Sequence, residues 1–276
     1  MFKYPDLDPV ALSLGSYTIL GKNITLPDVH WYGLMYLLAF ASAWLIGMYR
    51  ARLPHSPLTR AQVEDMVFYG AMGVVLGGRF GYVIFYNFEA FLEDPLWLLR
   101  VWEGGMSFHG GLLGVVVAML LFARKIGVKF LDLMDFVAPL VPLGLGFGRI
   151  GNFIGQELWG RVTTNPTWGM VFPNDPNVAR HPSQLYQAFF EGLVLFCILY
   201  WFSRKPRPRA AVAALFLVFY SVFRFGVEFF REPDAHIGYD MFGWMTRGQE
   251  LSIPMFVVGA AVLIWTYRRQ ASGVSR

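Results

Sequence analysis

The sequence predicts an all-α polytopic membrane protein: seven transmembrane helices and a small periplasmic head, with the amino terminus outside and the carboxyl terminus cytoplasmic. Three observations carry this expectation. Hydrophobic residues make up 55% of the 276-residue chain and charged residues only 15%, against about 25% in soluble domains. Seven stretches, near 30–49, 66–88, 107–123, 131–150, 184–203, 210–230 and 251–267, have the roughly 17–25 mostly apolar residues that a spanning helix needs. Positive charge follows every second stretch, which sets the orientation. The net charge of +4 would point to an acidic partner in a soluble chain. Here its distribution along the loops matters more, and no nucleic-acid partner is expected.

Residues 1–29 contain Asp6, Asp8 and Asp28 and no long apolar run. They are no signal peptide and read as a periplasmic arm, with span one serving as its own insertion signal. Span one opens on Trp31 and Tyr32 and is followed by Arg50, Arg52 and Arg60. Span two carries Gly73, Gly77 and Gly81 at four-residue spacing, a pattern that favours close helix packing. It also carries Arg79, Tyr82 and Tyr86, and Arg79 near mid-membrane is expected to belong to a structural ion pair. The loop after it is acidic, with Glu89, Glu93, Asp94 and Glu103.

Span three opens on His109, and the glycines behind it (Gly110, Gly111, Gly114) would let another group come close. Arg124, Lys125 and Lys129 follow it. Span four contains Pro139 and Pro142, which should free carbonyls near its middle, and Gly144 and Gly148, again at four-residue spacing. Asp132 and Asp135 stand near its cytoplasmic end. Span five holds Glu191 about two turns from its outer end and the lone Cys197, so no disulfide or cysteine metal cluster can form within the chain. Arg204, Lys205, Arg207 and Arg209 follow it; span six ends on Arg224 and Glu228, with Arg231 beyond; Arg268 and Arg269 close span seven. The expected organisation is an arm over 1–29, a catalytic membrane domain over 30–268 and a cytoplasmic tail over 269–276. Loops 152–183 and 231–250 supply the head, since loops of this length in a compact protein usually carry function.

The informative residues are polar ones in apolar company. Residues 148–161 read Gly-Arg-Ile-Gly-Asn-Phe-Ile-Gly-Gln-Glu-Leu-Trp-Gly-Arg at the outer end of span four. An arginine at the bilayer centre costs from about 3 to more than about 10 kcal/mol, so such a segment must face protein or a ligand. Tyr32, Tyr86, His109, Arg149 with Asn152, Glu191, and Arg224 with Glu228 all fall at the outer-leaflet depth of six different spans. Arg224 and Glu228 are spaced i, i+4 and could neutralise one another; Arg231 adds a charge that this pair leaves uncompensated. No pair of histidines has metal-ligand spacing, so no metal is expected. Phosphate loops, serine-hydrolase elbows and paired intramembrane aspartates are missing from the sequence as well. Arginine forks match phosphate oxygens in a bidentate way, and the phosphate at that depth is a phospholipid headgroup.

The stretch Gly148–Ile154 with Glu157-Leu158-Trp159-Gly160 resembles the signature of the bacterial prolipoprotein diacylglyceryl transferases. So do Trp31–Tyr36, Ser107–Leu112, His181–Tyr186 and Phe230–Asp234. Two positions depart from the family pattern. Gly155-Gln156 stands where the family commonly has Asn-Gly, and Gln187 where it has Glu. The resemblance implies transfer of the diacylglyceryl group of phosphatidylglycerol to the lipobox cysteine in a preprolipoprotein signal peptide, without metal, nucleotide or other cofactor. It implies a thioether product and release of glycerol phosphate, at the periplasmic side of the bacterial inner membrane. It also implies catalytic roles for His109, Arg149 and Arg224, and phospholipid binding by Arg149, Asn152, Glu157, Tyr32, Tyr86, Glu228 and Arg231. His109 is either the base for the thiol or a group that positions lipid or water. Cys197, small and apolar in character, is expected to be dispensable. The alternative reading is a polytopic transporter of an anionic solute or lipid, which would spread polar groups through the full membrane depth.

Overall fold

The computed structural model describes residues 1–19, 22–233 and 241–272. Asp234, His236 and Asp240 of the loop over 231–250, and residues 273–276 of the tail, lie outside the described residues. The described chain is mostly helical, and seven of its helices are long and apolar enough to span a membrane. They are Trp31–Arg50, Arg60–Tyr86, Phe108–Ile126, Phe130–Ile154, Ser183–Phe202, Ala211–Glu228 and Arg247–Ala271, spans one to seven. Side chains such as Leu37 (66% exposed), Phe85 (75%) and Trp201 (74%) are open along them. Apolar surface of that extent has no place in water, and a lipid environment accounts for it. The chain is a multi-pass membrane protein.

Span limits depart from the apolar runs where caps extend the helices. Span two starts six residues earlier than hydropathy suggests, because Thr59 and Gln62 form a capping box: Gln62 N donates to Thr59 Oγ1 (3.3 Å) and Thr59 N to Gln62 Oε1 (2.9 Å). Span seven likewise begins at Arg247, behind Thr246 and Gln249. Ser107 caps span three by accepting from Gly110 N at 3.2 Å, and Gly127, at φ +71°, ends it. Span four breaks as its prolines require: a 3₁₀ turn over Ala138–Leu140 separates Phe130–Val137 from Val141–Ile154. Span five contains an irregularity that apolar periodicity does not reveal, a π-helical segment over Ala188–Val194.

The chain divides into two compact units, Trp44–Val137 and Met1–Ala43 with Ala138–Arg276. In the first, spans two and three run backbone to backbone. A Cβ added at Gly73 would lie 2.8 Å from Gly114 O, and one at Gly81 would lie 2.7 Å from Gly110 Cα. The glycines behind His109 therefore admit span two, not a ligand. Arg79 is 2% exposed but is not the ion-pair member expected. Its guanidinium donates to the carbonyls of Trp97 (2.5 Å), Gly104 (2.6 Å), Leu98 (3.1 Å) and Gly105 (3.5 Å), and lies 4.2 Å from the Trp97 ring centre. Short 3₁₀ turns in that loop leave carbonyls without intrahelical partners, and one buried fork collects them.

In the other unit the spans are joined by small sheets. Phe2–Lys3 pairs in parallel with Met170–Phe172, which pairs antiparallel with Asp175–Arg180. Val10–Leu12 pairs with Val29–His30, and Ser16–Ile19 with Lys22–Thr25. Tyr4 then reaches the end of span four, where its hydroxyl donates to Phe153 O (3.1 Å) and Ile154 O (3.0 Å). Its ring packs with Phe153 and the fully buried Phe172. Spans four and five meet where a Cβ on Gly192 would lie 2.8 Å from Gly146 Cα. Of the expected packing glycines of span four, Gly144 meets only Ala39, and Gly148 faces open space.

Candidate active site

The polar residues of the larger unit gather where spans four, five and six come together with the start of span seven. Glu228, the last residue of span six, is fully buried. Its Oε1 accepts from Thr246 Oγ1 at 2.9 Å and from Arg231 Nη1 at 3.1 Å, and its Oε2 lies 3.0 Å from Arg224 Nη1. One carboxylate thus ties two arginines to the N-cap of span seven. A Cβ on Gly248 would come within 2.9 Å of the Glu228 carboxyl, so the glycine lets that helix end approach the pair. Arg231 is therefore compensated, contrary to the sequence expectation. The chain turns back after span six, and Arg231 comes to the same carboxylate as Arg224, from i+3 rather than i−4.

Glu191 faces Arg224 from the π-helical segment of span five. It is 1% exposed, its Oε1 lies 3.9 Å from Arg224 Nη1, and that oxygen accepts no hydrogen bond. Arg149, from span four, lies in the field of Glu191, Arg224, Tyr220 and Arg231. Among the described residues it forms no hydrogen bond or ion pair of its own. Arg161 donates to Arg231 O (3.0 Å) and Glu228 O (3.4 Å). It caps carbonyls that the end of span six leaves open, where a cation is also favoured by the helix dipole.

The loop after span four is built around Glu157. Asn152 Nδ2 donates to Glu157 Oε2 (3.3 Å), Glu157 N to Asn152 O (2.8 Å), and the buried Gln184 Nε2 to Glu157 O (2.6 Å). Gln156 and Leu158 flank it at φ +55°, a region that favours glycine. A glycine at 156, as the resemblance leads one to expect, would suit that backbone. Here Gln156 occupies it and accepts from Asn174 N at 3.3 Å. The Tyr32 ring lies over Gly151, its hydroxyl is 3.4 Å from that of Tyr36, and it feels the charges of Glu157 and Arg149. His181 packs edge-on to Phe230 and lies 3.2 Å through Nδ1 from the Tyr186 hydroxyl; burial lowers its pKa below the usual histidine value. Gly160, whose N donates to His181 O at 2.8 Å, has no room for a side chain beside His181 and Phe230.

A family model described as prolipoprotein diacylglyceryl transferase matches residues 22–265. The chain belongs to this family. It is 72% identical to the phosphatidylglycerol–prolipoprotein diacylglyceryl transferase of Teredinibacter turnerae, over 98% of this chain and 94% of that one. The proteins of the same name from Coxiella burnetii (55% identical, 98% and 99% covered) and Acinetobacter baylyi (57%, 98% and 96%) are also similar.

Of the transferase residues expected from sequence, Arg149, Asn152, Glu157, Tyr32, Arg224, Glu228 and Arg231 belong to the larger unit, in the contacts just given. His109 and Tyr86 belong to the other unit. His109 is exposed at the first turn of span three with its ring edge-on to Phe108, and Tyr86 is 68% exposed and stacked on Tyr82. Sequence reasoning assigned Glu191 to outer-leaflet depth but did not join it to the site. The extra residue of the π-helical segment changes which way position 191 points, and apolar periodicity carries no mark of it. Gln187 is 1% exposed with its Oε1 unbonded. Among the described residues no group of three His, Cys, Asp or Glu could hold a metal ion.

Proposed function

We propose that this chain moves the diacylglyceryl group of phosphatidylglycerol onto the lipobox cysteine of a preprolipoprotein signal peptide, the first step of lipoprotein maturation. The cysteine sulfur attacks the glyceryl carbon and a carbon–sulfur bond forms. The bond from that carbon to the phosphate oxygen breaks, and its electron pair leaves with glycerol phosphate. The thiol proton, on a group of pKa near 8.5, must pass to a base. His109 is our candidate for it, on the strength of the Ser107–Leu112 motif and imidazole chemistry.

Arg149 carries this reading. A largely buried guanidinium with no hydrogen bond or ion pair among the described residues is an unfilled fork beside two paired arginines. A phosphodiester supplies the oxygens it lacks. Arg149 and Arg224 would hold the phosphate and stabilise the charge that grows on it as the carbon–oxygen bond breaks. Glu228 and Arg231 would orient Arg224, while Asn152, Glu157, Tyr32 and Tyr86 would contact the headgroup or its rim. Two acyl chains on the product explain its use, since one chain anchors a protein only marginally. The reaction belongs on the periplasmic face of the inner membrane, by the charge pattern of the loops.

Purified protein incubated with phosphatidylglycerol vesicles and a lipobox peptide should yield a peptide heavier by one diacylglyceryl group in mass spectrometry. Folded protein that leaves the peptide mass unchanged would overturn the reading.

A further inference from the structure

Span five turns three polar side chains to one side. Gln184, Gln187 and Glu191 follow one another at spacings of three and four residues, which share a helix face. All three are buried, and the Oε1 of each accepts no hydrogen bond. Buried acceptors are nearly always bonded, so a row of three on one face calls for donors from outside the helix. Both ends of the row are placed by their contacts. At one end Gln184 Nε2 donates to Glu157 O at 2.6 Å, in the loop after span four, where Glu157 Oε2 accepts from Asn152. At the other, Glu191 Oε1 lies 3.9 Å from Arg224 Nη1, and Glu191 lies in the field of Arg149. Gln187 stands between them, so the row runs from the arginines toward that loop.

We propose that Gln187, with Gln184 beside it, accepts hydrogen bonds from the hydroxyls of the lipid headgroup, and so selects a phospholipid whose headgroup carries hydroxyls. This rests on the phosphatidylglycerol reading above. With the phosphate on Arg149 and Arg224, the headgroup beyond it follows the row toward the loop after span four. A glycerol headgroup brings two hydroxyl donors, and each carboxamide oxygen can accept one. A headgroup without hydroxyls would leave both oxygens buried and unfilled. A site built to bond a hydroxyl rejects the analogue that lacks it for that reason. The two glutamines differ in what else they do. Gln184 also holds the Glu157 backbone, whereas the Gln187 oxygen has no other duty among the described residues. Gln187 is therefore the position at which headgroup selection can be altered with least effect on the loop.

The test compares two lipids with the same acyl chains and the same phosphodiester: phosphatidylglycerol, and phosphatidylpropanol, whose propyl headgroup has neither hydroxyl. With vesicles of each and a lipobox peptide, wild type should show kcat/KM about a hundredfold higher for phosphatidylglycerol, about tenfold for each hydroxyl. Gln187→Leu should lose about tenfold on phosphatidylglycerol and keep its activity on phosphatidylpropanol, so the preference narrows by the same factor. A residue that only supports the fold would lower both lipids alike and leave the ratio unchanged. Gln187→Asn withdraws the acceptor by one methylene and should also narrow the preference; it decides the matter if the Leu variant fails to fold. An unchanged ratio in the folded variants overturns the proposal. Equal use of the two lipids by wild type overturns it without any variant, and leaves the transferase reading intact. A wild-type protein that transfers from neither lipid brings down that reading instead.

Discussion

Arg149 and Arg224 are both guanidiniums beside carboxylates, yet Arg224 is anchored at 3.0 Å by Glu228 whereas Arg149 has no direct partner among the described residues. If Arg149 binds phosphate through its fork, Arg149→Ala should lower transfer by about a hundredfold or more. Arg149→Lys should recover little of it, because an ammonium is a point charge. Near-normal turnover by the Lys variant in the peptide-mass assay would defeat the bidentate role. Glu228 calls for a different outcome. Removing it leaves Arg224, Arg231 and Thr246 facing a void, and breaking a buried pair of this kind costs about 3–5 kcal/mol. Glu228→Ala should therefore lower the thermal midpoint in detergent more than Arg224→Ala does; equal midpoints would show that the arginines find other partners. The i, i+4 spacing made the Arg224–Glu228 pair legible in the sequence. Arg231's share in it was not, since that depends on how the chain turns after span six. His181 adds a pH dependence. Burial holds its folded pKa below the unfolded value, so the unfolded state binds the proton more readily. Its contribution to stability is present above the ordinary histidine pKa of about 6.5 and is lost as pH falls from there through the lowered folded value. A His181→Phe variant should lose less stability than wild type between pH 7.5 and pH 5.5, read by thermal unfolding; parallel losses would clear His181 of the effect.

Helix elements show which sequence signals survive folding. The Thr59–Gln62 and Thr246–Gln249 boxes and the proline break in span four are local chemistry, and local chemistry can be read without tertiary context. The π-helical segment of span five is not local in this sense, because Ala188-Phe189-Phe190-Glu191-Gly192 reads as ordinary apolar helix with one acid in it. The small sheet over Phe2–Lys3 and Met170–Phe172 joins strands far apart in sequence and too short to alternate visibly. Glycine stripes fall between these cases. Four-residue spacing predicts a close approach, but it cannot say to what: Gly73, Gly77 and Gly81 meet span three, while Gly148 meets nothing within 4 Å. The two situations predict opposite results. A Cβ on Gly77 would fall 2.6 Å from Gly114 Cα, so Gly77→Val should separate the spans and cost about 1–3 kcal/mol, the usual range for overpacking. Gly148→Ala should leave the thermal midpoint unchanged. If Gly77→Val unfolded at the wild-type temperature, the backbone contact between spans two and three would be wrong.

At the scale of the whole chain, the remaining question is which side of the membrane each loop occupies. Seven spans require opposite ends, and the clusters after spans one, three, five and seven hold Arg50, Arg52, Arg124, Lys125, Arg204, Lys205, Arg268 and Arg269. The intervening loops carry Glu89, Glu93, Asp94 and Glu103, or the signature residues Asn152 and Glu157. The lysine and arginine bias puts the clusters in the cytoplasm and the loop over 152–183 outside, where phosphate chemistry would occur at the outer leaflet. The protein's own cysteine content makes a clean test. Cys197 is the single cysteine and is exposed on span five; the thiol in the proposed reaction belongs to the substrate, so Cys197→Ala should retain transfer. In that background Asn174→Cys and Ser272→Cys each place one thiol at an exposed position, the first in the loop between spans four and five and the second after span seven. A membrane-impermeant maleimide added to intact spheroplasts should label the variant at 174 and spare the one at 272. Inside-out vesicles should reverse the result. Labelling of position 272 in spheroplasts, with 174 protected, would invert the topology and place the arginine cluster at the cytoplasmic leaflet.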